Sequence, residues 1–289
     1  MAGLCSARLI SVLMLLLLLF GCGGAPRTEK LSYDRSDATV KSNVLLDGDN
    51  VGGRRISELT DMLGKYAEET YVAPVDAAVN GENWAITSEK AGRRLNIDKT
   101  VDTLKNAGEG DRVDYVFETV LPSVSADILK QKIRVIGKYT TTLLDRSDNR
   151  VNNILLASKK INNTILNPGE EFSFNGIVGK RTAAKGYEEA PIIIRTPDGP
   201  KKKKANGGGI CQISTTMYNA VEKCGLKVTE RHIHSKDVGY VPRGDDATVS
   251  YGTVDFRFVN TRKNPIMLKL YLNGRFLKVR ILENTIGSL

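Results

Sequence analysis

Cys211 is the residue whose type and position in this sequence point most directly to chemistry. Three glycines, Gly207 to Gly209, precede it, and apolar residues at helical spacing follow it. Glycine adopts backbone angles that other residues avoid, so this run predicts a turn into a helix with Cys211 near the helix N-terminus. Unpaired N–H groups and the helix dipole favour a thiolate there, which is the reactive form of cysteine. The pattern indicates a nucleophile for acyl transfer; the alternative is a small, buried, unreactive cysteine.

A base for this thiol has few candidates, because the chain contains two histidines and both follow the predicted helix. His232 and His234 lie in a segment, 228–235, that alternates like a strand, so both side chains are expected on one face. Histidine titrates near neutral pH, and an imidazole beside Cys211 would take the thiol proton and return it to a leaving amine. The alternative is a pair of exposed polar side chains at a strand end.

The second half of the chain, from about residue 138 to 282, resembles the VanW domain of bacterial cell-envelope proteins. The matching segments occur in the family's order and are Tyr139–Thr142, Asn167–Asn175, Val178–Thr182, Gly186–Tyr187, Gly207–Ala220, Arg231 with His234–Ser235, Tyr240–Pro242 and Gly244–Val249. The family takes its name from vancomycin-resistance clusters. Some members are described as L,D-transpeptidases, which form 3→3 cross-links in peptidoglycan through a cysteine acyl-enzyme.

The resemblance implies roles for individual residues. Cys211 becomes the nucleophile, and His234, which fills the family's His-Ser position, becomes its base. His232 occupies a position that the family varies and is the alternative base. A third group usually orients such a base. Asp245 and Asp246 are the candidates, and Asp246 fits the family's Asp-Ala-Thr position.

Further groups near the nucleophile are expected to bind the substrate. The backbone N–H groups of Cys211 and Gln212, which follow Gly209, form a candidate oxyanion hole. Arg231 is a candidate for binding a substrate carboxylate through its planar guanidinium, or it is paired within the fold.

The predicted reaction begins when Cys211 attacks the carbonyl of the L-centre residue in a tetrapeptide stem and expels a D-amino acid. An amine of a neighbouring stem then attacks the thioester, and His234 moves the protons. A cysteine endopeptidase or carboxypeptidase acting on the same stems is the close alternative. A non-catalytic peptidoglycan-binding lipoprotein, in which Cys211 is structural, is the alternative from another class.

The N-terminus has the composition of an export signal. Residues 9–20 are nearly all apolar and too few to span a membrane comfortably, which predicts a signal peptide over residues 1–21. The segment Leu19–Cys22 resembles the lipobox of bacterial lipoproteins, and this resemblance implies that Cys22 carries lipid. The chain is then extracytoplasmic, anchored to the cytoplasmic membrane and facing the cell wall; an uncleaved N-terminal anchor is the alternative. Residues 22–41 are expected to be a tether.

Charge and cysteine spacing narrow the possible partners and cofactors. The net charge of +9 favours anionic partners, which outside a bacterium are wall polymers and lipid headgroups rather than nucleic acid. Lys201–Lys204 is the densest basic run and is predicted in or beside a turn, either as a solvated loop tip or as a contact to acidic wall material.

Cys211 and Cys224 are thirteen residues apart on one predicted helix, about 20 Å, which is too far for a disulfide. The chain lacks a Cys–His pattern typical of zinc, so no metal and no cofactor are expected.

The order of predicted elements indicates an α+β protein with two small domains after the lipoprotein signal. Residues 42–131 resemble the module, assigned to peptidoglycan binding, that precedes many VanW domains, and the alternative is a spacer. Residues 132–289 are the expected VanW domain, with the cysteine helix packed on an antiparallel sheet. Two helices are expected in the first domain, including one capped by Asp98, and hairpins at Asn80-Gly81 and Asn273-Gly274.

Overall fold

The computed structural model describes residues 38–287. In this range the α-helices are α1 Ile56–Thr70, α2 Ile97–Asn106, α3 Ala126–Lys132, α4 Asp148–Ile161, α5 Phe174–Val178 and α6 Ile210–Lys223. The strands are β1 Leu45–Leu46, β2 Asp49–Asn50, β3 Ala78–Val79, β4 Ile86–Thr87, β5 Gly92–Leu95, β6 Arg112–Val113, β7 Phe117–Val120, β8 Ile133–Thr142, β9 Ile165–Leu166, β10 Glu171–Ser173, β11 Glu189–Thr196, β12 Gly199–Asn206, β13 Lys227–Glu230, β14 Arg257–Val259, β15 Ile266–Asn273 and β16 Phe276–Asn284. This mixture of helices and mostly antiparallel sheets confirms the predicted α+β class.

The first compact unit contains residues 38–70 and 95–118 of the described range. In this unit α1 and α2 pack together beside a small sheet in which β1 pairs with β2 antiparallel and with β6 parallel. The apolar residues of α1 recur at spacings of three and four, and Ile56, Leu59 and Leu63 are fully buried. The cap of α2 is Asn96, whose side chain accepts a hydrogen bond from the N–H of Lys99, so the predicted cap Asp98 is wrong.

The second compact unit contains residues 71–94 and 119–287 of the described range. Its largest sheet has the strand order β8-β16-β15-β9, and all its neighbours are antiparallel. Helix α6 packs on β8 and β16, because Ile213, Met217, Ala220 and Val221 form one fully buried face. The turn at Asn273-Gly274 joins β15 to β16 as predicted. The loop after Asn80 is longer than the predicted two-residue turn, since Val79 pairs with Ile86.

A second antiparallel sheet, with the order β10-β14-β13, holds an aromatic cluster in the core of the same unit. Phe172 stacks on Phe258 with ring centroids 5.0 Å apart, and Phe256 lies against both rings. Phe172 and Phe174 are both buried. Strand β13 ends at Glu230, after an irregularity in its pairing, so the predicted strand through His234 is too long.

Strands β11 and β12 form a separate two-stranded hairpin that leads directly into the glycine turn before α6. The lysine run lies in β12, where Lys203 pairs with Ile192 and Lys204 pairs with Pro191. The run therefore lies beside a turn, as predicted, but in a strand and not in a loop. The pairing with β11 extends the chain through the lysines, and the turn falls at Pro197 and Asp198.

The two compact units divide the chain differently from the expected ranges 42–131 and 132–289. Residues 71–94 and 119–131 belong to the second unit, where Ala77, Ala126 and Leu129 form a small apolar cluster. Helix α3 packs against β8, which explains why this segment joins the second unit. The predicted signal, its lipidated Cys22 and residues 22–37 of the tether lie outside the described residues. Among the helices of residues 38–287, none combines the length and the apolar character that crossing a membrane requires.

Candidate active site

The glycine turn before α6 brings the chain closer to its neighbours than any side chain would allow. A β-carbon at Gly208 would lie 2.6 Å from the carbonyl carbon and oxygen of Ala190, in β11. Gly209 is the N-cap of α6, with a φ of 103°, and a β-carbon there would meet the side chains of Arg150 and Ile154. The three glycines therefore fix where the helix begins and where its second residue, Cys211, is presented.

Cys211 is a free, partly buried thiol that faces one short segment of backbone. Its sulfur lies 3.5 Å from the hydroxyl of Thr248 and 3.5 Å from the carbonyl oxygen of Val249. The predicted helix-start position of the cysteine is therefore observed. The other described free cysteine, Cys224, caps the far end of α6 and donates to the carbonyls of Ala220 and Val221.

His234 and Asp246 form a buried pair beside this thiol. The Nδ1 atom of His234 lies 2.6 Å from Oδ2 of Asp246, and both side chains are 8% exposed. The same carboxylate oxygen accepts the backbone N–H of His234 at 2.6 Å. Two hydrogen bonds from one residue to one oxygen fix the orientation of the imidazole and leave its Nε2 to exchange a proton with the Cys211 thiol.

The electrostatics of this group favour a charged thiolate–imidazolium pair. Burial alone would raise the pKa of the Cys211 thiol, but hydrogen bonding and charge from His234, with Val249 and Thr248, lower it to about 7. Burial also opposes the charged form of His234, yet Cys211 and Asp246 outweigh it and raise the pKa of the imidazole. Each partner therefore stabilises the charge of the other near neutral pH.

His232, the alternative base, lies elsewhere. Its ring is on the surface, with Nε2 3.1 Å from the carboxylate of Glu230, and its backbone pairs with Thr248. The two histidine side chains do not share a strand face, because the chain leaves the strand at Glu230. The structure thus brings His234, and not His232, to the nucleophile.

Gln212 has a role in holding α6 in place. Its side chain is buried, donates to the hydroxyl of Thr141 and the carbonyl of Thr142, and accepts from Arg150. Its backbone N–H donates to the carbonyl of Gly209 at 3.0 Å, so the expected contribution of this amide to an oxyanion hole is wrong in this conformation. The amide of Cys211 is also in the first helical turn, where α-helical geometry supplies no internal partner, and it remains the candidate oxyanion donor.

Arg231 is used within the fold. Its guanidinium donates to the backbone carbonyls of Asp246 and Gly244 and to the hydroxyl of Tyr218, and it stacks on the Tyr218 ring at 3.9 Å. These contacts hold the segment that carries Asp246. The structure therefore supports the paired alternative for Arg231 rather than a substrate-carboxylate site.

Two residues near the thiol were not singled out from the sequence. The phenol of Tyr240 lies among Cys211, Arg150 and Asp246, and burial raises its pKa. Arg181 packs its stem against Gly207, and its charge interacts with Cys211. Both lie in segments that carried the family resemblance, Tyr240–Pro242 and Val178–Thr182, which was the signal available. No group of three or more histidine, cysteine or acidic side chains suited to a metal ion occurs within residues 38–287.

Comparison with known proteins places this site in a family. Residues 149–282 match the family described as "VanW like protein", and residues 57–114 match the family described as "Putative peptidoglycan binding domain". The chain is 35% identical over 206 residues to "Uncharacterized protein YoaR" of Bacillus subtilis, covering 70% of this chain and 66% of that protein. It is 30% identical over 118 residues to "Vancomycin B-type resistance protein VanW" of Enterococcus faecalis, covering 39% of this chain and 42% of that protein.

The matched regions therefore span about two thirds of the first of these relatives and less than half of the second. No solved structure matches the chain significantly. The description of the second family names peptidoglycan binding, and the residues Cys211, His234 and Asp246 all lie within the first match. Residues 149–282 thus form a VanW-like domain, and a domain of the peptidoglycan-binding family precedes it.

Proposed function

We propose that this protein is a cysteine L,D-transpeptidase that forms 3→3 cross-links between peptidoglycan stems. The observation that carries the proposal is the buried group of Cys211, His234 and Asp246, in which the thiol pKa is lowered to about 7. A nucleophile, a base within reach and a third group that orients the base are the three parts that covalent acyl transfer requires.

Acylation begins with transfer of the Cys211 proton to His234. The thiolate attacks the carbonyl carbon of the L-centre residue in a tetrapeptide stem, and the negative charge on the carbonyl oxygen is stabilised by the Cys211 amide. The C–N bond to the terminal D-amino acid then breaks, and His234 returns the proton to the leaving nitrogen. The products are a thioester on Cys211 and a free D-amino acid.

Deacylation uses the same groups in reverse. The side-chain amine of an acceptor stem loses a proton to His234 and attacks the thioester carbonyl. The C–S bond breaks, the new amide is the 3→3 cross-link, and the sulfur leaves as a thiolate that His234 can reprotonate. Asp246 holds the imidazole in its orientation throughout, through its hydrogen bonds to Nδ1 and the backbone N–H of His234.

The comparisons support the substrate and the location that this reaction needs. Residues 57–114 match a family described by peptidoglycan binding, which makes peptidoglycan the proposed partner of the first unit. We place the protein outside the cytoplasm, facing the wall, with Cys22 as its proposed lipid anchor to the membrane. The net charge of +9 and the exposed lysines of β12 suit contact with anionic wall polymers.

The test is incubation of the full chain with a purified disaccharide-tetrapeptide and analysis of the products by mass spectrometry. Cys211→Ala removes the nucleophile, and Cys224→Ala is the matched control on the same helix. A cross-linked dimer that requires Cys211 but not Cys224 supports the transpeptidase. Cleaved monomer without dimer assigns the site to a cysteine peptidase, and unchanged substrate that remains bound assigns the protein to non-catalytic wall binding.

A further inference from the structure

Arg181 is a cation built into the wall of the candidate active site. Its stem packs against the glycine turn, since a β-carbon at Gly207 would lie 2.9 Å from Cβ and 3.0 Å from Cγ of Arg181. The guanidinium lies over the ring of Phe174 at 5.6 Å, and Nη1 donates to the side-chain oxygen of Asn175 at 2.6 Å. These three contacts fix the side chain on the turn that presents Cys211.

The second terminal nitrogen of this guanidinium is unsatisfied. Nη2 of Arg181 is buried and has no hydrogen-bond partner within residues 38–287, and the same is true of the hydroxyl of Tyr187. Burial lowers the pKa of Arg181 even though Cys211, Tyr187, Asp255 and Tyr251 favour its charge. A buried donor without a partner is costly, and a charged one more so, which marks a position where a ligand would complete the bonding.

A polar cleft lies next to Asn175, the hydrogen-bond partner of this guanidinium. The cleft has a volume of about 530 Å³, and its lining includes Asn175, Tyr251 and Asp255. Asn175 accepts the hydrogen bond from Arg181, and its amide donates to the carbonyls of Ser250 and Val254, of which Val254 also lines the cleft. The charge of Arg181 interacts with Cys211 as well as with Tyr251 and Asp255. Arg181 therefore links the glycine turn before Cys211, which its stem contacts, to Asn175, which lines the cleft.

We propose that Arg181 recognises a free carboxylate on the residue that follows the bond attacked by Cys211, and that this residue occupies the cleft beside Asn175. The proposal rests on the transpeptidase function above and specifies its donor: a stem that ends in an unmodified α-carboxylate. A guanidinium N–H donates a charge-assisted hydrogen bond to a carboxylate oxygen, and the unsatisfied Nη2 suits a singly charged group. Arg231 lacks this capacity, because its guanidinium is bonded within the fold.

Alkylation of Cys211 by two small reagents tests this recognition without any peptidoglycan. Iodoacetate carries a carboxylate and iodoacetamide is its neutral analogue, so the ratio of their rate constants at Cys211 reports charge recognition independently of the thiolate fraction. We expect Arg181→Gln to lower this ratio about tenfold relative to wild type. Lys180→Gln, the same charge change at the next position, is expected to leave the ratio within about twofold.

The same experiment monitors folding. Burial raises the pKa of Cys224 to about 11, so Cys224 reacts slowly only while the second unit is folded. If Cys224 becomes reactive in Arg181→Gln, that variant is unfolded and Arg181→Lys is used in its place. Lysine keeps the positive charge but lacks the planar donors of the guanidinium. An unchanged reagent ratio in a folded Arg181 variant overturns the proposal, whether or not the protein cross-links stems.

A pair of donor stems then separates this inference from the proposed reaction. We expect the disaccharide-tetrapeptide with a free C-terminal carboxylate to be turned over at least about tenfold faster than its C-terminal amide by wild type. Arg181→Gln should turn over both at similar, low rates. Equal rates for both stems in wild type contradict carboxylate recognition while leaving the transpeptidase intact. If neither stem is turned over, the transpeptidase proposal is contradicted. Carboxylate recognition by Arg181 is then judged from the ratio of the two alkylation rates alone.

Discussion

The reactivity of the candidate nucleophile depends on its neighbours rather than on the cysteine itself. Helix α6 carries two thiols of the same chemical type near its two ends. Burial raises the pKa of Cys224 to about 11, whereas the pKa of Cys211 is lowered to about 7 despite burial. The difference comes from His234, which supplies a hydrogen bond and a positive charge to Cys211 alone. A thiolate therefore forms at one end of the helix and not at the other.

Removing His234 should abolish the low pKa of Cys211. In wild type the rate of alkylation at Cys211 is expected to rise with pH around an inflection near 7. In His234→Ala the thiol is still buried, but the hydrogen bond and charge that offset the effect of burial are lost. The inflection should therefore move above 9, the ordinary pKa of a cysteine thiol. Site-resolved mass spectrometry after iodoacetamide treatment across a pH series measures the shift. His232→Ala should keep the wild-type curve; a shift in that variant instead would make His232 the base.

Asp246→Asn should impair proton transfer while keeping the fold. The carboxylate favours the imidazolium form of His234, so its removal should lower the pKa of His234 and reduce turnover of the tetrapeptide by about 100-fold. Nuclear magnetic resonance titration of His234 and the rate of product formation measure these two effects. Asp245→Asn is the matched control, because Asp245 is exposed. Equal losses in both variants would mean that neither aspartate acts through His234.

At the scale of elements, the geometry of the site depends on where helix α6 begins, and contacts on two sides fix that position. The glycine turn fits against β11, while Gln212 attaches the first turn of α6 to β8. On the other side, Ser214 and Thr215 donate to the carbonyl of Ala247, next to Asp246. The same helix thus positions the nucleophile and the residue that orients the base. A shift of its first turn would therefore move both Cys211 and the segment that carries Asp246.

Gly208→Ala should disturb this arrangement directly. The added methyl group would lie 2.6 Å from backbone atoms of Ala190, which can yield only if β11 or α6 moves. We expect a loss of about 1–3 kcal/mol in the free energy of unfolding, and slower alkylation of Cys211 at pH 7. Thermal and denaturant unfolding measure the first effect. Gly64→Ala, inside α1 with open space around its α-carbon, should be neutral or stabilising by about 0.5–1 kcal/mol. Full stability in Gly208→Ala would show that the close approach is not required.

The sequence predicted correctly those elements that a local signal defines, such as a regular spacing of apolar residues or a turn dipeptide. The buried face of α6 and the β15–β16 hairpin are examples, because helical spacing and the Asn-Gly signal need no information from distant residues. The lysine strand β12 and the end of β13 could not be found in this way. Their state is set by pairing with β11 and by the irregular register against β14, which are tertiary contacts.

The candidate site was predictable to the extent that the family motifs marked it. Cys211, His234 and Asp246 were proposed from motif position, and the fold brings them together. The part played by Arg181 was not predictable, because an arginine in a loop is ordinarily a solvated surface residue. Only the structure shows that its stem packs against the glycine turn and that Nη2 is buried with no hydrogen-bond partner among residues 38–287.

At the scale of the whole molecule, the positive charge should direct binding to anionic wall material. Replacing Lys201, Lys203 and Lys204 of β12 by glutamine should weaken binding to purified cell walls roughly tenfold at low salt. The difference should shrink at high salt, because screening suppresses contacts between exposed charges. Co-sedimentation with walls, before and after chemical removal of their anionic polymers, measures it. Replacing Lys138, Lys227 and Lys263 by glutamine is the control. Equal weakening in this control would mean that binding depends on the net charge of the protein and not on the lysines of β12.

The division of the chain into two units makes a prediction about which region Leu129 stabilises. Leu129 is 8% exposed and lies with Ala77 and Ala126 in a small cluster of the second unit, although residues up to 131 were expected in the first domain. Leu129→Ala leaves a cavity there, and we expect a cost of about 2 kcal/mol that falls on the elements around the cluster. Hydrogen–deuterium exchange should therefore accelerate in β3, β4 and the start of β8, because local stability governs local opening. Exchange in α1 and α2 should stay unchanged. Leu63→Ala, in the core of the first unit, should give the opposite pattern. Faster exchange of α1 and α2 in Leu129→Ala would instead support a boundary near residue 131.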